Sequence, residues 1–540
     1  MMMQRLLAGL LFCYFIMIIP VFGQEKYWQA TFSESIWNPD EAVKNRSDTP
    51  PSLYAARGET EHLQIIILPT EAEINKKIDR LNMLTVNFKI SDFKDDRGNL
   101  INKRNIKFRR VEKIEDWEDV LVPGNEVVLN DNKRRFMWLT VKVPDEAVPG
   151  EYVATLTCSD KDVNVEHEVK LRVLNFKLPQ KPSIPAVFGI RGEGFMGLDK
   201  QLWLEPGSEK LKEKMSGYVD FLINYRISPF ICNWMDNKQV DTYTSPWPLY
   251  DPRSKKYLDD PRITHIALPL LKRTGREFNG YDSIELKKNF EALKRSSGAH
   301  KPYVYVWDEP TSIELYNKAL EMSGIVHRTS PDIDVFTSFY TGFNKTLEVA
   351  DLQKIPQFFG NKGKRIFAYS EWAWRGNYKT VELFKEMLNP DNEKLWLYVC
   401  SGPAGSHPNV LFGMSGVQNR AVLWRVWAEG GTGFLYWVVN NLTFRDGGLA
   451  LYNMGNGDGV LVYPGEYYGV TGPVASCRLE RWLDGMEDYE YLTAIKNKKG
   501  KQAADTMLSG FYTLPNTTAS KFPGIKSIND FKIKADELLR

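Results

Sequence analysis

The sequence predicts a multidomain chain: an N-terminal antiparallel β-sandwich, then a (β/α)8 TIM-type barrel, then a C-terminal helical extension. Three observations carry that prediction. Up to about Pro179, short period-two apolar runs recur between turns, the pattern of a sandwich. Leu178–Pro185, LPQKPSIP, then packs three prolines into eight residues, a linker through which neither helix nor sheet can run. After it, eight apolar runs mostly alternate with amphipathic stretches. The boundaries read from these changes of rhythm are 1–23, 24–180, 181–440 and 441–540.

Residues 1–23 read as a targeting segment rather than as part of the fold. Arg5 supplies a positive start, and Leu6–Ile19 is an apolar run too short for a comfortable membrane span. Val21-Phe22-Gly23 sets up cleavage near Gly23–Gln24, and bulky Phe12 before Cys13 argues against a lipoprotein box. The mature chain is expected to be exported, periplasmic or extracellular, with no membrane span.

In 24–180 the runs Glu61–Leu68, Phe136–Val143 and Tyr152–Thr157 read as strands, with turn chemistry at Asp96–Asn99 and Val148–Glu151. No exposed aromatic platform is evident, which favours a supporting role. In 181–440 the strands are Ala186–Ile190, Ser228–Asn233, His265–Leu270, Tyr303–Trp307, Asp334–Phe339, Arg365–Tyr369, Leu395–Cys400 and Gly433–Trp437. Amphipathic stretches between them include Ser208–Tyr225, Ser283–Arg295, Ser312–His327 and Gly416–Ala428. The sixth unit, Phe358–Trp374, is the least regular. In the tail, Arg478–Lys496 reads as a helix whose acids lie on a solvated face and pair with Arg478 and Arg481.

The fourth strand lies in KPYVYVWDEP (301–310) and is followed at once by Asp308, Glu309 and Pro310. Strand interiors do not hold paired acids cheaply. Beyond the C-terminal end of a barrel strand, the same pair sits where active sites gather. The segment also suits a helix entry, with Asp308 as N-cap and Pro310 in the first turn. Strand ends bring Asn233, Trp234, Tyr340, Glu371, Trp372, Trp374, Ser401, Trp437, Asn440 and Asn441 to the same rim. Acids at the base of an aromatic-walled pocket are what a glycosidase site requires, and flat Trp and Tyr faces suit stacking on sugar rings.

Other classes find little support. A net charge of +2 gives no electrostatic footprint for nucleic acid. Cys158, Cys232, Cys400 and Cys477 are far apart and the six histidines are scattered, so no metal site is expected and the thiols read as free and buried. No phosphate loop, dinucleotide fingerprint or serine-nucleophile elbow appears, and no cofactor is expected.

The WDEP motif, Tyr398–Pro403 (YVCSGP), His407-Pro408-Asn409 and Gly433–Trp437 (GFLYW) resemble glycoside hydrolase family 123. GDGVLVYPG (457–465) and RLERWLDGMEDYEYL (478–492) resemble the overlapping domain of unknown function 4091. Arg57-Gly58-Glu59 and PGEY (149–152) are similar to its N-terminal sandwich. This resemblance implies a retaining β-N-acetylgalactosaminidase assisted by the substrate's own acetamido group. Glu309 would then be the general acid/base, and Asp308 would orient the acetamide and stabilise an oxazolinium intermediate. It also implies that Tyr340 donates to the acetamide oxygen. Trp372, Trp374 and Trp437 are expected to wall the sugar site, with Asn233, Asn440 and Asn441 as further substrate contacts. The partner is a glycan. Two alternatives stay open: a retaining glycosidase on a sugar without an acetamide, with Glu371 as nucleophile, and a non-catalytic glycan binder on the same scaffold.

Overall fold

The computed structural model describes residues 27–35, 37–70, 84–192, 207–234, 239–274, 277–340, 354–360, 363–370, 378–446, 448–452, 455–513 and 528–540. The N-terminal part is sheet-rich. Trp28–Glu34, Thr60–Pro69, Arg135–Lys142, Ile106–Ile114 and Trp117–Pro123 form a five-stranded antiparallel sheet in that order. A second sheet runs Leu53–Arg57, Asn164–Lys177, Gly150–Ser159, Leu84–Ile90 and Glu126–Leu129, its first pair parallel. Alternation decides what faces inward. Tyr152, Ala154, Leu156 and Cys158 of the second sheet meet Leu63, Ile65, Ile67, Met137, Leu139 and Val141 of the first in one core. The first sheet is buried on its other face too, where His62, Gln64, Trp138 and Thr140 turn toward the rest of the molecule.

The next sheet has nine strands: β1 (Ala186–Arg191), β2 (Ser228–Trp234), β3 (Val240–Tyr243), β4 (His265–Ala267), β5 (Lys301–Trp307), β6 (Asp334–Phe339), β7 (Arg365–Ser370), β8 (Glu393–Val399) and β9 (Phe434–Tyr436). The hydrogen-bonded order is β3-β2-β1-β9-β8-β7-β6-β5-β4, parallel throughout except for β3. Helices α1 (Glu209–Ile223), α2 (Ser283–Lys294), α3 (Ile313–Thr329) and α4 (Gly416–Glu429) lie among the connections.

The ring is near-closed rather than a plain eightfold ladder. β4 is three residues long, where the sequence predicts six, and β3 is an unpredicted antiparallel strand. Across the remaining gap one backbone bond, Thr244 N to Ala267 O at 3.2 Å, is joined by side chains in place of a ladder. Ser228 Oγ accepts from the amides of Thr264 (2.8 Å) and His265 (3.3 Å), and Thr244 Oγ1 accepts from Ala267 N at 2.8 Å. Pro229 in β2 has no N–H for such a ladder.

The tail contains α5 (Cys477–Lys499), α6 (Lys501–Ser509) and α7 (Asn529–Leu539). Here the expected solvated helix face is corrected. Glu480, Asp484, Glu487, Asp488 and Glu490 are all at most 2% exposed. α5 is wedged between the N-terminal sheet, α4 and the last helices, so that every residue of its first three turns, Cys477 to Asp488, is buried. The acids pair outward: Glu480 with Arg109, Asp488 with Arg420 and Glu490 with Arg226. Arg478 pairs with Asp119 at 2.9 Å, and Arg481 donates to the carbonyls of Ser35 and Trp37. Among the described residues no helix is long and apolar enough to cross a membrane, and no disulfide joins Cys158, Cys232, Cys400 and Cys477.

Candidate active site

β5 alternates as strand chemistry dictates until its last residues. Tyr303 and Tyr305 point into the ring, beside Phe336, Trp396 and Tyr398, whereas Val304 and Val306 face the helices. Continued alternation would send Trp307 inward and Asp308 outward. The register against β6 instead slips between Tyr305 and Trp307, and Trp307 joins Val306 on the helix side. That bulge re-aims the chain. Asp308 now lies on the side of Tyr305, whose hydroxyl donates to Asp308 Oδ1 at 2.8 Å.

Glu309 follows with φ of +49°, in the left-handed region that non-glycine residues rarely occupy. Ser338 of β6 holds it there, its carbonyl oxygen and Oγ each accepting from the Glu309 amide at 3.2 Å. Ser338 Oγ also lies 3.0 Å from Asp308 Oδ1 and 2.7 Å from the Tyr305 hydroxyl. On the other side, the Tyr398 hydroxyl of β8 donates to Glu309 Oε1. Both acids are half-buried, and each has a hydroxyl partner from inside the ring. Burial pushes the Tyr305 and Tyr398 phenols well above the ordinary tyrosine range, so both remain protonated donors. The helix-entry reading fails: α3 begins at Ile313, and its N-cap is Ser312, whose side chain accepts from Leu315 N.

The other predicted residues separate. Trp437 follows β9 and meets Trp234, at the end of β2, edge-to-face with ring centroids 6.2 Å apart. Its indole donates to Asp458 Oδ1 at 3.0 Å. Asn233 donates to the Tyr243 hydroxyl at 3.0 Å. Asn440 is engaged with backbone: Oδ1 accepts from Arg191 N at 2.8 Å and Nδ2 donates to Arg191 O at 3.1 Å. Asn441 Oδ1 accepts from the Arg191 guanidinium at 3.0 Å. These two asparagines thus tie the chain after β9 to the end of β1. Tyr340 directly follows β6 and is half-buried. Glu371, Trp372 and Trp374 lie outside the described residues, as does the targeting segment.

Four site residues were missed by the sequence reading: Tyr305, Ser338, Tyr398 and Asp458. Period two within the predicted strands does put Tyr303 with Tyr305 and Trp396 with Tyr398, a signal that was there to be used. Asp458 had none beyond a glycine-rich turn. It is 8% exposed, and burial pushes its carboxyl up to about 6. The loop after β8 is pinned by buried Asn409, which donates to the carbonyls of Cys400 (3.0 Å) and Pro403 (2.9 Å). Among the described residues no group of three His, Cys, Asp or Glu is placed to hold a metal ion.

Comparison with solved structures finds a family 123 glycoside hydrolase from Clostridium perfringens, studied for glycolipid glycan hydrolysis. It is 14% identical, with 95% of this chain and 97% of that one covered and a TM-score of 0.60. A β-D-glucuronidase from Dictyoglomus thermophilum is 10% identical over 81% of this chain and 69% of that one; its TM-score of 0.31 supports no argument. No curated protein matches the sequence. The model of the glycoside hydrolase 123 catalytic domain matches residues 219–495, just over half of the chain, with the acid pair and its three hydroxyl partners inside the match. The chain belongs to glycoside hydrolase family 123.

Proposed function

We propose that this glycoside hydrolase releases a terminal β-linked N-acetylhexosamine, N-acetylgalactosamine in particular, with retention and with the substrate's acetamido oxygen as nucleophile. The observation that carries this reading is the adjacency of Asp308 and Glu309 within one hydroxyl-lined site. Retaining enzymes with a protein nucleophile set two carboxyls about 5–5.5 Å apart on opposite faces of the ring. Neighbours whose Cα atoms are about 3.8 Å apart do not straddle a sugar that way, but they can divide labour on one side of it. Glu309 protonates the leaving oxygen, then activates water. Asp308 orients the acetamide N–H and stabilises the cationic oxazolinium.

In this reading the nine-stranded sheet works as a (β/α)8-type barrel with its mouth at the strand ends. Trp437 forms an aromatic wall with Trp372 and Trp374, Tyr340 donates to the acetamide oxygen, and Asn233, Asn440 and Asn441 support the rim. The Clostridium perfringens enzyme's action on glycolipid glycans makes such glycans the first substrates to try. Export is part of the proposal, supported by Arg5 and the apolar run Leu6–Ile19.

The test is a panel of aryl N-acetylgalactosaminide, N-acetylglucosaminide, galactoside and arabinoside, with wild type, Glu309→Gln and Asp308→Asn. Turnover of the acetamido sugars only, inhibited by a thiazoline mimic of the intermediate, supports the reading. Glu309→Gln is expected to retain thiazoline binding and lose roughly 10²–10⁴-fold in rate, the usual worth of a general acid. Hydrolysis of plain galactosides but not acetamido sugars would turn attention to Glu371 as a protein nucleophile.

A further inference from the structure

Neighbouring carboxyls titrate as a pair, and each opposes the other's ionisation. The chemistry proposed above needs them in opposite states, Asp308 ionised and Glu309 protonated. We infer that two ring hydroxyls, those of Tyr305 and Ser338, act as positioning residues that set this division by holding Asp308 ionised. The inference rests on the substrate-assisted reading of the same site.

Proton counting around Asp308 supports it. The Tyr305 hydroxyl, Ser338 Oγ and Asp308 Oδ1 form a triangle with edges of 2.7, 2.8 and 3.0 Å. The Glu309 amide donates into Ser338 Oγ at 3.2 Å, taking up a serine lone pair and leaving the serine proton to be given away. Two hydroxyl protons are shared along three edges, and the two hydroxyls cannot both donate along the edge between them. In every remaining arrangement Asp308 Oδ1 receives at least one proton. Donated hydrogen bonds favour the anion.

Glu309 is treated differently. A phenol from a different strand, that of Tyr398, donates to its Oε1. A phenol donates to a carboxylate and can equally accept from a carboxylic acid. Tyr398 therefore keeps Glu309 in place whether or not it carries the proton, which suits a group that gives a proton and takes one back. Other titratable groups facing the pair among the described residues include Cys400, after β8, whose thiol burial pushes up to about 12 and so keeps neutral.

The experiment is the pH profile of kcat/KM for an aryl β-N-acetylgalactosaminide with wild type, Tyr305→Phe, Ser338→Ala and Tyr398→Phe. The acid limb reports the base form of Asp308, and the alkaline limb reports the acid form of Glu309. Removing a donor raises the pKa of the acid it served. Tyr305→Phe and Ser338→Ala are expected to move the acid limb up by about one pH unit and leave the alkaline limb in place. Tyr398→Phe, which removes no donor from Asp308, is expected to leave the acid limb in place. A loss that is even across pH, or the same limb moving in all three variants, overturns the inference. Where a variant has too little turnover, binding of the thiazoline mimic is followed against pH. Tyr305→Phe should raise its acid midpoint by the same amount, and an unmoved midpoint overturns the inference as well. Failure of the underlying mechanism is read separately, from wild type that turns over plain galactosides and ignores the acetamido sugar.

Discussion

Glu309 occupies a left-handed conformation that costs a non-glycine residue about 1–2 kcal/mol. Strain of this size persists where surrounding structure over-determines it, and here Ser338 does so through two acceptors on one amide. A second consequence at this scale concerns Asp458. Its carboxyl ionises near 6 in the folded protein, against 3.8 for an ordinary aspartate, because burial opposes the charge. The folded state thus holds a proton that the unfolded chain has released, and stability falls as pH rises through that window. Asp458→Asn keeps the oxygen that accepts from the Trp437 indole and never ionises. It should match wild type near pH 4 and exceed it by up to about 3 kcal/mol above the window, as read by urea unfolding across pH. Asp458→Ala removes that acceptor and frees the indole, so KM should rise where Asp458→Asn leaves it unchanged.

Helix α5 joins the elements. Arg420 of α4 reaches Asp488 through Nε (2.5 Å) and Nη2 (2.6 Å) and lies 3.4 Å from Asp484, all three side chains buried. Removing one partner of a buried pair leaves an uncompensated charge. Arg420→Leu should therefore cost about 3–5 kcal/mol, and the double replacement with Asp488→Leu should recover much of it, a comparison made by a double-mutant cycle in urea. The positions of these elements were largely readable: Asp334–Phe339 appears residue for residue, and α5 lies within three residues of where its charges and apolar spacing put it. Their surroundings were not. Whether Glu480 meets water or Arg109 is decided by a strand some 370 residues away, which a local pattern does not contain. The slip at Tyr305–Trp307 was hidden for a related reason: alternation assumes an unbroken ladder, and a bulge reverses it for every residue beyond. β3 went unread because Val240–Tyr243 is short and half polar.

At the scale of the whole molecule, the N-terminal sheets and last helices close around α5 rather than hanging from the ring. Trp138 donates to His62 at 3.0 Å, and His62 faces Glu480 at 3.3 Å; burial holds that imidazole neutral, at about 3. From the C-terminus, Lys532 enters between Glu59 and Glu61, and Phe531 stacks on Trp424 at 5.4 Å. Lys532→Met leaves two buried acids beside one another, so a loss of about 3–5 kcal/mol is expected in urea unfolding. The same variant should leave KM unchanged under native conditions, since Lys532 belongs to the scaffold and not to the mouth.

In the proposed mechanism Asp308 and Glu309 share one face of a sugar whose acetamido group is the nucleophile. It is tested most directly by cleaving a matched pair of aryl β-galactosaminides, one N-acetylated and one N-trifluoroacetylated, with wild type and with Glu309→Gln. Assistance by the acetamido oxygen predicts a steep fall in wild-type kcat/KM for the less nucleophilic trifluoroacetamide, with turnover of both nearly abolished by Glu309→Gln. Equal rates on the two sugars, or a Glu309→Gln enzyme as active as wild type, would contradict it.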